Sequence, residues 1–225
     1  MIMAGGSGSR MKSQVPKQFV VVAGKPVLMH TFDVFRNYNP EVEFILVLPE
    51  KEVTLWNELV VQYSFNLKYQ LAFGGETRFH SVKNGLEQVH EEGIVFIHDG
   101  VRPLVSVETI RQCDQMAQEK GNAVPVIPVA ESIRKVKHED NKAVDRSRYF
   151  LVQTPQTFQT EMIKNAYRQT YSPLFTDDAS VVEAAGEKIN LVEGNRENIK
   201  ITFPEDLLFV EFQLEMNSNS SPYRT

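Results

Sequence analysis

Cysteine is almost absent from this chain: Cys113 stands alone, so no intrachain disulfide can staple the fold. No apolar run approaches the roughly 20 residues that cross a bilayer. The opening residues, MIMAGGSGSR, lack the basic region and long apolar stretch of a signal peptide. Positive charge is not in excess either, since 24 Lys and Arg face 29 Asp and Glu, a net charge of -5. That balance argues against broad nucleic-acid binding while leaving room for a local cationic pocket. No internal repeat and no Asp-x-Asp metal motif occurs. These absences lead us to expect a cytoplasmic protein with neither a membrane nor a nucleic-acid partner. What remains is ordinary globular composition, 42% hydrophobic and 24% charged over 225 residues, ample for one large domain.

Apolar runs and helical patterns alternate along the first half. The stretches 1–4, 43–49, 68–73, 94–99 and 123–129 read as buried strands. Between them Leu28, Phe32 and Phe35 mark one helix face, with Pro26 expected in its first turn. Val82, Leu86 and Val89 repeat the spacing, as do Val107, Ile110, Cys113 and Ala117, where the thiol reads as packing. Such alternation predicts a three-layer α/β/α sandwich around a mostly parallel, Rossmann-like sheet. Ligands then bind beyond the carboxyl ends of the strands, which gathers loops 5–18, 74–81 and 99–106 on one rim.

Residues 130–152 break this rhythm. They are mostly charged, with a turn expected at 139–141, and read as a protruding β-arm that packs on a second copy of the chain. Helices near 160–171, 177–186 and 204–216 and a strand near 188–193 complete a single domain over 1–216. The polar tail 217–225 is expected to be disordered.

The loop AGGSGSRM resembles two familiar phosphate cradles and matches neither. A third dinucleotide-fingerprint glycine would fall at Met11, and the P-loop order of glycine, lysine and serine or threonine is absent. Its small residues still let backbone N–H groups face an anion, with Arg10 and Lys17 to compensate charge. The other rim loops carry matching chemistry. GGETRFHSV adds a glycine pair, HDGVRP sets Asp99 at the end of a buried strand, and NIKITFPEDL brings Lys200.

The ordered set AGGSGSRM, PKQF, GGETRFHSV, HDGVRP, VDRSRYFLVQTPQTF, TDDAS and NIKITFPEDL resembles the 2-C-methyl-D-erythritol 4-phosphate cytidylyltransferases over roughly residues 1–212. The resemblance implies a nucleotidyltransferase fold of the GT-A-like kind. It also implies transfer of CMP from CTP to methylerythritol 4-phosphate, with Mg²⁺ and a homodimer formed through the arm. Ribitol 5-phosphate cytidylyltransferase is the alternative, sharing the nucleotide half and differing in the acceptor pocket. By motif, Arg10, Lys17, Arg146 and Lys200 are the implied catalytic cations. Ala4, Gly5, Gly6, Ser7, Gly8, Gly75, Glu76, Ser81, Asp99 and Gly100 are the implied nucleotide contacts. The acceptor falls to Asp99, Arg146, Thr154, Thr176 and Lys200, with Arg146 and Thr154 reaching into a partner's site, and Asp99 lies near the metal. Two departures stand out: strand one is short for the family, and Gly100-Val101 replaces a small alanine pair.

Overall fold

A computed structural model describes residues 1–5 and 15–219. Its core is an eight-stranded sheet. Followed from one hydrogen-bonded neighbour to the next, this links β10 (Phe150–Val152), β7 (Asn122–Pro128), β11 (Gln156–Gln159), β6 (Ile94–Asp99), β1 (Ile2–Met3), β4 (Ile45–Leu48) and β5 (Gln70–Phe73), with β12 (Leu191–Glu193) also paired to β7. Strands β5, β4, β1 and β6 are mutually parallel, as are β12 and β7, while β10 and β11 run antiparallel to their neighbours. The sheet is therefore mixed and mostly parallel, and the strands expected in the first half fall where the sequence placed them.

Both faces are covered. Helices α1 (Val27–Tyr38), α2 (Val53–Gln62) and α4 (Val107–Lys120) bury Leu28, Phe32, Trp56 and Ile110 against one face. Trp56 stacks between Phe19 and Phe32 and donates its indole N–H to Tyr69 Oη at 2.9 Å, so the one polar atom of this large side chain is satisfied. Helices α3 (Arg78–Leu86), α5 (Thr160–Ala166) and α6 (Asp178–Ala184) carry Phe79, Val82, Ile163 and Val182 onto the other face. Helix α4 starts on Ser106, whose hydroxyl accepts from Thr109 N–H at 3.0 Å, and stops at Gly121 with φ of 90°. That backbone position would strain any residue with a Cβ. Cys113 is buried on α4, as packing requires.

The sequence reading needs several corrections. Pro26 is not in the first helical turn; it ends a small hairpin, β2 (Val21–Val22) with β3 (Lys25–Pro26), and caps α1 from outside. The α2 helix has no counterpart in that reading. Gln156–Gln159 form a strand that the sequence reading did not expect, entering the sheet as β11 between β6 and β7. The arm is shorter than 130–152. Its hairpin is β8 (Arg134–Lys137) and β9 (Asp140–Ala143), turning at residues 138–139, whereas β10 belongs to the main sheet. Pro125 explains the switch of neighbours along β7. β11 pairs with residues 122–123 and β10 with 126–128 on the same edge, so the N–H that proline lacks falls in the gap between the two ladders. The last helix, α7 (Pro204–Asn219), runs three residues into the stretch expected to be disordered.

Candidate active site

The carboxyl ends of β1, β4 and β6 meet at one rim, and the central strand β6 ends there on Asp99. Asp99 is 7% exposed. A carboxylate so placed needs compensation. Lys200 Nζ lies 3.1 Å from its Oδ2, and Arg102 Nε, one turn along the loop, donates to the same oxygen at 3.1 Å. Burial opposes the charge, but Lys200, then Arg102 and Arg78, override it and hold the Asp99 pKa well below the usual carboxylate range. Arg102 also donates to Asn198 O at 2.7 Å, tying the β6 loop to the segment that carries Lys200. The same segment receives Lys17, whose ammonium donates to Ile201 O at 2.8 Å. Cations 183 residues apart in sequence thus converge on adjacent backbone.

Below Asp99 runs a chain of hydrogen bonds whose protons can be assigned from chemistry alone. His98 Nε2 faces Arg102 O at 3.0 Å, and a carbonyl only accepts, so Nε2 carries the proton. Nδ1 is then an acceptor, 3.1 Å from Thr154 Oγ1, and Thr154 Oγ1 accepts from Asp99 N–H at 3.1 Å. Burial drives the His98 pKa down to about 4. A neutral, fully enclosed imidazole packs under the site and is poorly placed to act as a base. Thr154 is itself buried and spends its hydroxyl on its own chain's Asp99 and His98, not on the arm.

Opposite Asp99, the glycine loops are joined by one hydroxyl. Ser81, buried on α3, accepts from Gly75 N–H at 2.9 Å and donates to Thr77 O at 2.9 Å. A Cβ on Gly75 would sit 2.5 Å from His80 Cβ, so the loop closes this tightly only with glycine. Gly5 and Gly74 both back onto the Ser81 hydroxyl, and Gly75 and Glu76 are left exposed at the rim. Ala4 is buried, and its carbonyl accepts from Gln18 Nε2 at 2.9 Å. Gln18 reaches Glu52 at 2.6 Å as well, which docks the PKQF stretch and fixes where Lys17 points. Gly100 donates to Met3 O at 2.8 Å and locks β6 to β1.

A buried ion pair clamps a further loop onto this one. Arg78, at the start of α3, donates to both oxygens of Asp178, at the start of α6, at 2.7 and 2.5 Å, and Tyr167 donates to Asp178 Oδ1 at 2.6 Å. Thr176, exposed, lies two residues before Asp178. Arg146 stands apart on the exposed arm, with its guanidinium against Ala130 O. Gly6, Ser7, Gly8 and Arg10 lie outside the described residues. Sequence reasoning left Arg102 unassigned, put Arg78 on the rim without naming its partner, and passed over Gln18, Asn198 and Asp178 as site supports. HDGVRP held the signal for Arg102, since a cation three residues after a buried aspartate is within reach of it. Nothing local marks the Arg78–Asp178 contact.

A mostly parallel α/β sheet whose central strand ends on a carboxylate ringed by cations, with glycine loops facing it, defines the nucleotidyltransferase class of fold. Comparison with known proteins resolves the class to a family. The profile of the 2-C-methyl-D-erythritol 4-phosphate cytidylyltransferase family matches residues 1–216, and the chain belongs to this family. A Bacteroides thetaiotaomicron protein of that name is 52% identical over 207 residues, 92% of this chain and 94% of its own. One from Bacillus velezensis is 37% identical over 224 residues, 98% and 97% of the two chains. The Francisella tularensis cytidylyltransferase structure superposes with a TM-score of 0.77 at 29% identity, covering 94% of this chain and 97% of that one.

Proposed function

We propose that the chain transfers CMP from CTP to 2-C-methyl-D-erythritol 4-phosphate and releases pyrophosphate. Family membership and the cationic rim support this reading. The observation that carries it is the Asp99 carboxylate gripped by Lys200 and Arg102, with Lys17 anchored on the next carbonyl. In the reaction a phosphate oxygen of the acceptor bonds to the α-phosphorus of CTP. The bond from that phosphorus to the bridging oxygen breaks, and pyrophosphate leaves with the electron pair. The nucleophile is already an anion near neutral pH, so no base is needed, in keeping with a neutral His98. Catalysis is alignment and charge compensation. Lys17 and Arg10 hold the triphosphate, Lys200 faces the attacked phosphorus, and Asp99 orients Lys200 and meets acceptor hydroxyls, with Thr176 beside them. Gly5 to Gly8, Gly75, Glu76, Ser81 and Gly100 frame the nucleotide.

Among the described residues no group of three His, Cys, Asp or Glu side chains could hold a metal ion alone. The donors therefore fit Mg²⁺ as a companion of the triphosphate, with Asp99 the protein carboxylate nearest it. Bound there, the ion would neutralise charge on the departing diphosphate. A homodimer is part of the reading. The edge strand β10 exposes Phe150, Leu151 and Val152 by about half each, and the β8–β9 hairpin beside it has no core of its own. Pairing there would carry Arg146 to a partner's acceptor site. The lone buried thiol is in keeping with a cytoplasmic setting, and no described helix is long and apolar enough to cross a membrane.

Magnesium-dependent pyrophosphate release from CTP, measured with each polyol phosphate, tests the reading. Turnover with methylerythritol 4-phosphate is the expected result, and activity confined to ribitol 5-phosphate would refute it. Mixing Arg146→Ala and Lys17→Ala chains tests the arm: a mixed dimer retains one intact site and regains activity. Confirmed mixed dimers without activity would exclude donation across the interface.

A further inference from the structure

The stretch from Gln153 to Gln156 runs from the rim into β11, and its three polar side chains are buried. Each reaches a different loop. Gln153 Nε2 donates to Asn195 O at 2.8 Å and to Asn198 O at 3.3 Å, in the segment that leads to Lys200. Thr154 holds Asp99 and His98. Gln156, 1% exposed, turns to the loop before α6. Its Nε2 donates to Asp177 Oδ2 at 2.8 Å, and its Oε1 accepts from Ala179 N–H at 2.8 Å. Both ends of this amide are spent on that loop. Asp177 in turn caps α6, its Oδ1 accepting from Ser180 N–H at 2.9 Å. On the other side of Thr176, Phe175 stacks on Phe79 with ring centroids 5.6 Å apart. Thr176 is therefore exposed between two anchored neighbours.

We propose that Gln156 is a positioning residue for the acceptor: through Asp177 it fixes where Thr176 stands, an inference that rests on Thr176 being an acceptor contact. The contact is a relay from Ala179 N–H through the side chains of 156 and 177 to Ser180 N–H. Its two ends are backbone donors whatever the side chains are. Each middle group must therefore offer an acceptor outward, and the two must meet as one donor and one acceptor. An amide beside a carboxylate does this. Two amides leave a donor facing a donor however either is turned, and two carboxylates bring two acceptors and two charges together out of water. Glutamine with aspartate satisfies the rule, and glutamate with asparagine would satisfy it with the charge moved to position 156. The polarity of the pair, rather than its bulk, holds Thr176. The next residue, Asp178, is pinned by Arg78 to the start of α3 and the nucleotide loop. Adjacent aspartates thus tie one loop to two sides of the site. Breaking the Gln156 link frees the acceptor side and leaves the nucleotide side clamped.

The test measures kcat and the KM values for CTP and methylerythritol 4-phosphate, by pyrophosphate release from the full chain with Mg²⁺. Gln156→Glu and Asp177→Asn are each expected to raise the acceptor KM on the order of tenfold. The KM for CTP should stay within about threefold of the parent. Combining the two substitutions restores an amide beside a carboxylate and should return the acceptor KM to within about threefold of the parent. Thr176→Val probes the reading beneath, and its acceptor KM should rise as well. A double variant whose acceptor KM is the product of the two single effects would overturn the proposal, as would equal rises in both KM values. If Thr176→Val raises the acceptor KM and Gln156→Glu, folded by circular dichroism, does not, Gln156 has no positioning role. If Thr176→Val changes nothing, the role of Thr176 falls and the proposal falls with it. Should a single variant fail to fold, recovery of both folding and acceptor KM in the double variant supports the pair, and a double variant that also fails to fold refutes it.

Discussion

Replacing Arg78 by methionine isolates the clamp between two site loops. Asp178 is wholly buried and keeps two guanidinium bonds and one from Tyr167, so losing the guanidinium leaves a carboxylate inside the protein with a single phenol to answer it. Stranding a buried charge this way costs about 3–5 kcal/mol. The Arg78 side chain is 32% exposed, so water softens the loss and about 3 kcal/mol is the working figure. For a chain of this size that lowers the melting temperature by roughly 6–12 °C. Because the clamp ties the start of α3, after Gly75 and Glu76, to the start of α6, after Thr176, KM should rise along with the loss of stability. Adding Asp178→Asn removes the stranded charge while leaving Tyr167 an acceptor. The double variant should therefore recover at least about 1 kcal/mol relative to Arg78→Met, an interaction that denaturant titration resolves. A single variant within about 0.5 kcal/mol of the parent, or a double variant with purely additive losses, would refute the reasoning.

The pH dependence of stability follows from His98. Its folded pKa, about 4, lies below the ordinary 6.5, so between these values the unfolded chain binds the extra proton. The His98 contribution is whole above about pH 6.5 and is lost as the pH drops toward 4, roughly 3 kcal/mol in all. The buried Met1 amine titrates in the same sense up to pH 8, so the readout is the flattening of the profile in His98→Gln relative to the parent. Thr154→Val leaves Asp99 N–H and His98 Nδ1 without their shared hydroxyl and should cost about 1–3 kcal/mol in urea unfolding. Lys200→Met should lower kcat on the order of 10²–10³-fold and also lower stability, since the buried Asp99 carboxylate is left with Arg102 alone beside it; unchanged pyrophosphate release would remove Lys200 from the chemistry.

Much of this protein is legible in short stretches of sequence. Residues 94–99 and 45–48 read as strands because both faces are apolar, and α4 reads from Ser106 to Gly121 because a side-chain cap and a left-handed stop bracket a 3.6-residue pattern. The rim loops were legible too, since a carboxylate at the end of a buried strand is anomalous unless something compensates it. Elsewhere local pattern was silent. QTPQTF contains no alternation to betray β11, whose place is won by filling the space between β6 and β7. FLV reads equally as the end of an arm or the edge of a sheet, and Pro125 decides between them only once the strands are side by side.

The order of residues by itself determined the alternation of strands and helices, the rim on which polar loops collect and the residue types available there, because each is a matter of periodicity and of neighbours within a turn. Tertiary structure alone decided which charges meet. Arg78 finds Asp178 across 100 residues, Lys17 finds the carbonyl beside Lys200, and Thr154 turns inward to His98. Such pairs depend on how a whole sheet closes over its two cores, and no short window of sequence contains that sum.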